Sequence, residues 1–321
     1  MKNSRPLRTT RRRFLAGTAG LGAAALFPTV GCKSGETPGA SAQLGDSTSE
    51  RPWFRISLAQ WSLHRVLYSG EMDALDFAKA ARQDYGIEGV EYVNSFFKEH
   101  ARDHDYLTQL QTRAADQGVR SLLIMVDGEG NLGAADDRQR AQAVENHHQW
   151  IEAAAFLGCH SIRVNAGGEG TREEVARHAA ESLHALATYG APHSISVIVE
   201  NHGGYSSDGA WLAGVIQRAD HPGAGTLPDF GNFRLSGGPD GDVWYDRYQG
   251  VAELMPFAKA VSAKTYDFDA EGNETTIDYA RMLGIVKAAG YDQWLGVEYE
   301  GGRLSEPEGI RATKALLERL R

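Results

Sequence analysis

From Trp53 to the end of the chain, eight short β-branched runs each give way to a longer amphipathic stretch. No other feature constrains the fold as strongly, because this is the pattern of βα units whose strands lie parallel in one sheet. The runs fall at 54–59, 89–93, 120–126, 161–164, 195–199, 225–227, 261–264 and 295–297. Helices are predicted between and after them at 72–83, 106–117, 137–157, 172–189, 210–218, 248–258, 277–289 and 306–320. Eight such units in about 270 residues match the size of a (β/α)8 TIM barrel. A doubly wound open sheet would call for a Gly-x-Gly-x-x-Gly turn after the first strand, and the chain has none there. Gly86, Gly118, Gly158 and Gly290 stand shortly before predicted strands, where a left-handed residue ends a helix. The stretch 233–246, with Gly237, Gly238, Pro239 and Gly241, has no periodic pattern and is expected to be a loop on the active side.

The first 31 residues have a different character. They hold six basic side chains (Lys2, Arg5, Arg8, Arg11, Arg12, Arg13) and no acid, ahead of an apolar, small-residue run at 14–30. That is the plan of a signal peptide. Thr10-Arg11-Arg12-Arg13-Phe14-Leu15 resembles the twin-arginine export consensus, and Thr29-Val30-Gly31-Cys32 resembles a lipoprotein cleavage site. Cys32 is therefore a candidate for lipidation and for tethering to a membrane, with residues 32–52 as a flexible linker. The expected division is signal peptide 1–31, linker 32–52 and barrel 53–321, in a protein exported to the periplasm or cell envelope. Of 33 basic residues six lie in the leader, which leaves 27 against 42 acids, a formal −15 for the body compared with −9 for the whole chain. So acidic a body has no electrostatic grip on nucleic acid. Only two cysteines are present, which excludes a disulfide scaffold and a Cys-rich metal centre.

In a barrel of this kind the chemistry gathers where the strands end. There the chain places Gln60, Glu91, Asn94, Asp127, Glu129, Asn165, Glu200, Asn201, His202, Asp229, Asn232, Lys264, Glu298 and Glu300. Three carboxylates carry most weight: Glu200 ends one apolar run, Asp229 follows Thr226-Leu227-Pro228, and Glu298 ends Trp294-Leu295-Gly296-Val297. Carboxylates converging from separate strands repel one another unless a cation or protons intervene. A divalent metal resolves this, and an oxygen-rich donor set favours Mg or Mn. His202, two positions beyond Glu200, is a candidate fourth ligand or substrate contact. Lys264 is a candidate partner for a substrate oxyanion, or for one of the carboxylates. Trp61, Trp211, Trp244 and Tyr266 offer faces for sugar stacking or simple packing. The adjacent His147 and His148 point in different directions on a helix and do not form a chelate.

Taken in order, Glu200-Asn201-His202-Gly203-Gly204, Pro228-Asp229-Phe230-Gly231-Asn232 and Gly296-Val297-Glu298-Tyr299-Glu300-Gly301 resemble the xylose-isomerase-like TIM-barrel superfamily of sugar (phosphate) isomerases and epimerases. The resemblance covers residues 53–321. It implies a divalent cation, Mn or Mg with Co or Zn as substitutes, held by Glu, Asp, His and a second Glu. By residue-to-residue match, Glu200 and Glu298 are both metal ligands and acid/base catalysts, and Asp229 is a metal ligand. The family's seventh-strand His-x-Lys is here Ser262-Ala263-Lys264, so the fourth position falls to His202, to water or to nothing. Gln60, Glu91, Asn165, Asn232 and Lys264 are the expected substrate-binding residues.

The reaction expected is proton transfer next to a carbonyl through an enediolate, giving epimerisation or aldose–ketose isomerisation of a small sugar or glycoside. A lyase or dehydratase on an oxidised sugar, or a non-catalytic envelope sugar-binding lipoprotein, are the competing readings. An apurinic-endonuclease role fits poorly, since the strand ends offer mainly His64 and His202 and the body is acidic. An oligomer is compatible with the chain.

Overall fold

The computed structural model describes residues 52–238 and 241–321. The signal-peptide reading, Cys32, nearly all of the linker and Pro239 lie outside the described residues. Eight parallel strands form the main sheet: β1 (Arg55–Ala59), β2 (Gly89–Val93), β3 (Arg120–Met125), β4 (Ser161–Val164), β5 (Ser196–Glu200), β6 (Ala224–Leu227), β9 (Val261–Thr265) and β10 (Trp294–Tyr299). Between β6 and β9 the chain adds an antiparallel pair, β7 (Arg234–Ser236) and β8 (Val243–Trp244), so the stretch expected to be featureless carries a small hairpin.

Strand order in the main sheet is β6-β5-β4-β3-β2-β1-β10-β9. The two outer strands then meet. Parallel bridges join Thr226 to Ala258 and Asp229 to Ser262, while the Lys259 and Ser262 amides donate to Thr226 O (3.0 Å) and Pro228 O (2.9 Å). The sheet is thus a closed TIM barrel, as the alternation predicts.

Nine α-helices accompany the strands among the described residues: α1 (His64–Ser69), α2 (Phe77–Tyr85), α3 (His104–Asp116), α4 (Asp137–Leu157), α5 (Arg172–Gly190), α6 (Gly209–Ala219), α7 (Arg247–Leu254), α8 (Tyr279–Ala288) and α9 (Glu306–Arg319). The predicted helix at 72–83 is displaced. Asp73 caps a 3-10 turn at Ala74–Asp76 and α2 begins only at Phe77, while the unpredicted α1 follows β1 after a 3-10 turn at Gln60–Leu63. Gly86, Gly118, Gly158 and Gly290 all have positive φ between 66° and 76°, as a helix stop requires.

Two apolar layers result. The larger lies between strands and helices, and a smaller one, formed by Ala59, Val93, Leu123, Met125, Ile198, Leu227 and Ala260, fills the barrel itself. Charged side chains at the C-terminal strand ends stand above this inner plug. No helix among the described residues is long and apolar enough to cross a membrane.

Candidate active site

Three strands and their extensions converge on one cluster. Glu200 is the last residue of β5, Asp229 lies two beyond β6, and Glu298 is next to last in β10. All three are buried, and one carboxylate oxygen from each lies within 4.8 Å of the others. Strand register explains the arrangement, because Asp229 faces Ser262 across the closing seam and Glu298 pairs with Lys264.

Ser262 occupies the position where the family resemblance implies a histidine. Its Oγ stands 2.7 Å from Asp229 Oδ2 and 2.7 Å from Glu298 Oε2. A hydroxyl has one proton to give, so it can donate to only one of them. Burial pushes Asp229 above the ordinary carboxylate range, against the opposing pull of Lys264, with Glu200 and Glu298 adding repulsion. Asp229 Oδ1 is held by the Gly231 and Asn232 amides, each at 2.7 Å.

Glu200 is likewise pushed up by burial, and Arg163 opposes the shift. Arg163 Nε sits 2.8 Å from Glu200 Oε2, an ion contact whose angle is not that of a hydrogen bond, so both atoms remain without a hydrogen-bond partner. Asn232 Nδ2 donates to Glu200 Oε1 at 3.1 Å. Arg163 Nη1 also donates to Asp127 Oδ1 at 2.7 Å. Burial alone would raise the Asp127 pKa, but the Arg163 charge and hydrogen bonds from Arg163 and Asn165 hold it below the usual range.

Lys264 is buried and its ammonium is shared among acids: 2.9 Å from Glu300 Oε2, 3.2 Å from Glu298 Oε1 and 3.9 Å from Asp229 Oδ2. Burial works against its charge, but the surrounding carboxylates overcome this and raise its pKa well above the ordinary lysine value. Of the two roles open to Lys264, the pairing with acids is the one present here.

The donor set fits a hard divalent cation. It is made of oxygens from separate strands, and Glu200 Oε2 is a buried acceptor with no hydrogen-bond donor. Glu200, Asp229 and Glu298 would hold such an ion. His202 is not part of this grouping: it stands exposed at the mouth, beside Arg163, Glu298 and Glu300 in the lining of a cavity of about 270 Å³. Desolvation lowers the His202 pKa, and the Arg163 and Lys264 charges act in the same direction. Trp61 and Tyr68 form the aromatic wall of this cavity, and Trp61 Nε1 donates to Glu300.

The other expected residues are dispersed. Gln60 is fully buried, accepts the Val93 amide at 2.9 Å and leaves its Nε2 unpartnered. Glu91 lies inside the barrel wall, accepting from Ser57 Oγ at 2.6 Å. Asn165 binds Asp127 through Nδ2, and Asn232 braces Glu200 and Asp229. Trp211 packs in the core and donates to Arg172 O, Trp244 is exposed on the hairpin, and Tyr266 is half-buried beside Gly231. His147 is buried on Ala143 O while His148 pairs with Glu145, so the two point apart as expected. Sequence reasoning missed Arg163. Its signal was an arginine in the otherwise uncharged strand Ser161-Ile162-Arg163-Val164, where only a buried counter-charge makes it tolerable.

The profile of the Xylose isomerase-like TIM barrel family matches residues 77–320. No curated protein sequence matches the chain. Among solved structures, a D-tagatose 3-epimerase-like protein is 16% identical with a TM-score of 0.64, covering 83% of this chain and 98% of its own. A xylose isomerase-like TIM barrel protein from Mycobacterium smegmatis, in complex with magnesium, is 18% identical at TM-score 0.58 and covers 76% and 88%. The 3-keto-D-glucoside 4-epimerase from E. coli is 14% identical at TM-score 0.58 and covers 84% and 100%. At such identities the likeness shows the fold, and the family follows from the profile match over most of the chain: the protein belongs to the xylose isomerase-like TIM barrel family.

Proposed function

We propose that the protein is a divalent-metal-dependent sugar isomerase or epimerase that moves a proton next to a carbonyl. The observation carrying this reading is the buried convergence of Glu200, Asp229 and Glu298 from three different strands. The similar structures described as an epimerase and an epimerase-like protein, and the magnesium complex of a third, xylose isomerase-like protein, support it. A bound Mn or Mg would supply polarisation of the substrate carbonyl and its neighbouring hydroxyl.

Glu200 and Glu298 are the two groups able to take and return the proton. Glu298 lines the cavity, and Glu200 stands behind Arg163 with its pKa raised by burial towards the range a general base needs. Arg163 and Asn232 hold the Glu200 carboxylate in place, while Lys264 and Ser262 hold that of Glu298. Trp61 and Tyr68 shield one side of the cavity and present apolar faces to a sugar ring.

Glu200→Gln and Glu298→Gln should each lower turnover by about 10²-fold or more with the fold retained, as circular dichroism would report. Asp229→Asn should abolish calorimetric binding of Mn or Mg. Unchanged turnover in both Gln variants, or full activity in chelator, would overturn the reading.

A further inference from the structure

Beside the reactive cavity lies a second one that the proposed chemistry does not use. It has a volume of about 380 Å³ and sits between the loops after β4 and β5. The two cavities share a single residue, His202. The first is at the small end for ligand pockets, which run from about 300 Å³ upward, so it has room for one compact unit.

The lining of the second cavity says what it can hold. Apart from the shared His202 no titratable group but the Tyr205 phenol lines it, and there is no lysine or arginine. An anionic phosphate would find no cation there. The floor is backbone: Gly203 and Gly204 have φ of 87° and 58°, and a Cβ added to Gly168 would come within 2.3 Å of Gly133 O. Positive φ favours glycine at 203 and 204, and the close approach of Gly133 requires it at 168. Apolar walls come from Val175 and Leu235, with the exposed Tyr205 alongside. Asn165 lends the wall a side chain whose Nδ2 is committed to Asp127. A neutral ligand with an apolar face suits this lining.

We infer that this cavity is a second subsite and that the substrate is an uncharged glycoside, with its reacting sugar beneath Trp61 and its second unit between Asn165 and Leu235. The linkage between the units passes His202. This deepens the proposed function and rests on it for the identity of the reacting unit. A free monosaccharide fills only half of the paired site, and a sugar phosphate places its charge where no cation receives it.

Equilibrium binding by calorimetry tests the inference with full-length protein in Mn or Mg. The probes are D-glucose, D-fructose, their 6-phosphates, α- and β-linked glucosyl disaccharides, and p-nitrophenyl glucoside. At least one two-unit probe is expected to bind about tenfold tighter than its component monosaccharide and than the phosphates. A disaccharide as the best probe identifies the second unit as a sugar, and p-nitrophenyl glucoside as the best probe identifies it as an aromatic aglycone. L235W, which fills the subsite from a partly exposed strand, should cancel that gain. No two-unit probe binding, a monosaccharide or phosphate binding as tightly as every two-unit probe, or a gain surviving in folded L235W, overturns the subsite. Because binding is measured, these outcomes are separate from the turnover of the Glu200 and Glu298 variants, which judges the reaction itself.

Discussion

Ser262 shows how one residue alters a site without disturbing the fold. Its hydroxyl stands between Asp229 and Glu298 and can satisfy only one of them by donation. Glu91 is the second instructive residue, because burial pushes its pKa from 4.5 to about 8, opposed by the Ser57 hydrogen bond and reinforced by Glu298 and Glu200. Its room inside the barrel comes from Gly296, where an added Cβ would lie 2.6 Å from both carboxylate oxygens. A folded-state pKa above the unfolded one means that the native protein holds an extra proton between the two values. Stability tied to Glu91 is therefore fully present below about pH 4.5 and falls as pH rises towards about 8. Glu91→Gln keeps the acceptor for Ser57 and removes the titration. Relative to the variant, wild type should lose up to about 1.4 kcal/mol per pH unit across that window, read from urea unfolding at pH 5 and pH 8. Parallel pH profiles for the two proteins would contradict the assignment.

Among the elements, α9 is the one that braces the strand end carrying Glu298. Ser305 and Glu308 form a capping box at its start, and Gly309 in its first turn packs against Tyr299, which follows Glu298 in β10. A Cβ at 309 would come within 2.2 Å of the buried Tyr299 ring. Gly309→Ala should cost about 1–3 kcal/mol by overpacking, despite alanine's better helix propensity. Because the ring cannot shift without moving β10, turnover should fall as well. Thermal unfolding and steady-state rates check both effects. The hairpin β7–β8 is the element that sequence periodicity could not reveal. It is formed by strands of three and two residues across a register irregularity, too short for an alternating pattern to register.

At the scale of the whole molecule, the barrel closes through its least regular seam. The β6–β9 junction consists of isolated bridges, whereas β9 and β10 pair through five consecutive positions from Leu295–Val261 to Tyr299–Thr265. Asp229 and Ser262 face each other across that junction, so the site is built on the join itself. Amides of Lys259 and Ser262 should exchange with deuterium faster than those within the β9–β10 ladder. Adding Mn or Mg should slow them, since an ion held by Asp229 and Glu298 would tie the seam together. Equal exchange rates in the two junctions would argue against a weak seam. The body's acidity also acquires a structural account, as Asp103, Asp136, Asp208, Asp246 and Asp278 each cap a helix by accepting amides of its first turn.

Eight alternations of β-branched and amphipathic stretches were sufficient to determine the barrel, because strand and helix periods are local properties of a chain. The same locality placed Glu200, Asp229 and Glu298 at strand ends, and the positive φ at Gly86, Gly118, Gly158 and Gly290 agrees with the helix stops read there. What those residues face was decided only by closure of the sheet. Arg163 behind Glu200, Ser262 between two carboxyls, Lys264 committed to acids and His202 standing between two cavities are all contacts between strands far apart in sequence. Such contacts depend on register and on which strand ends meet, and no local pattern encodes either.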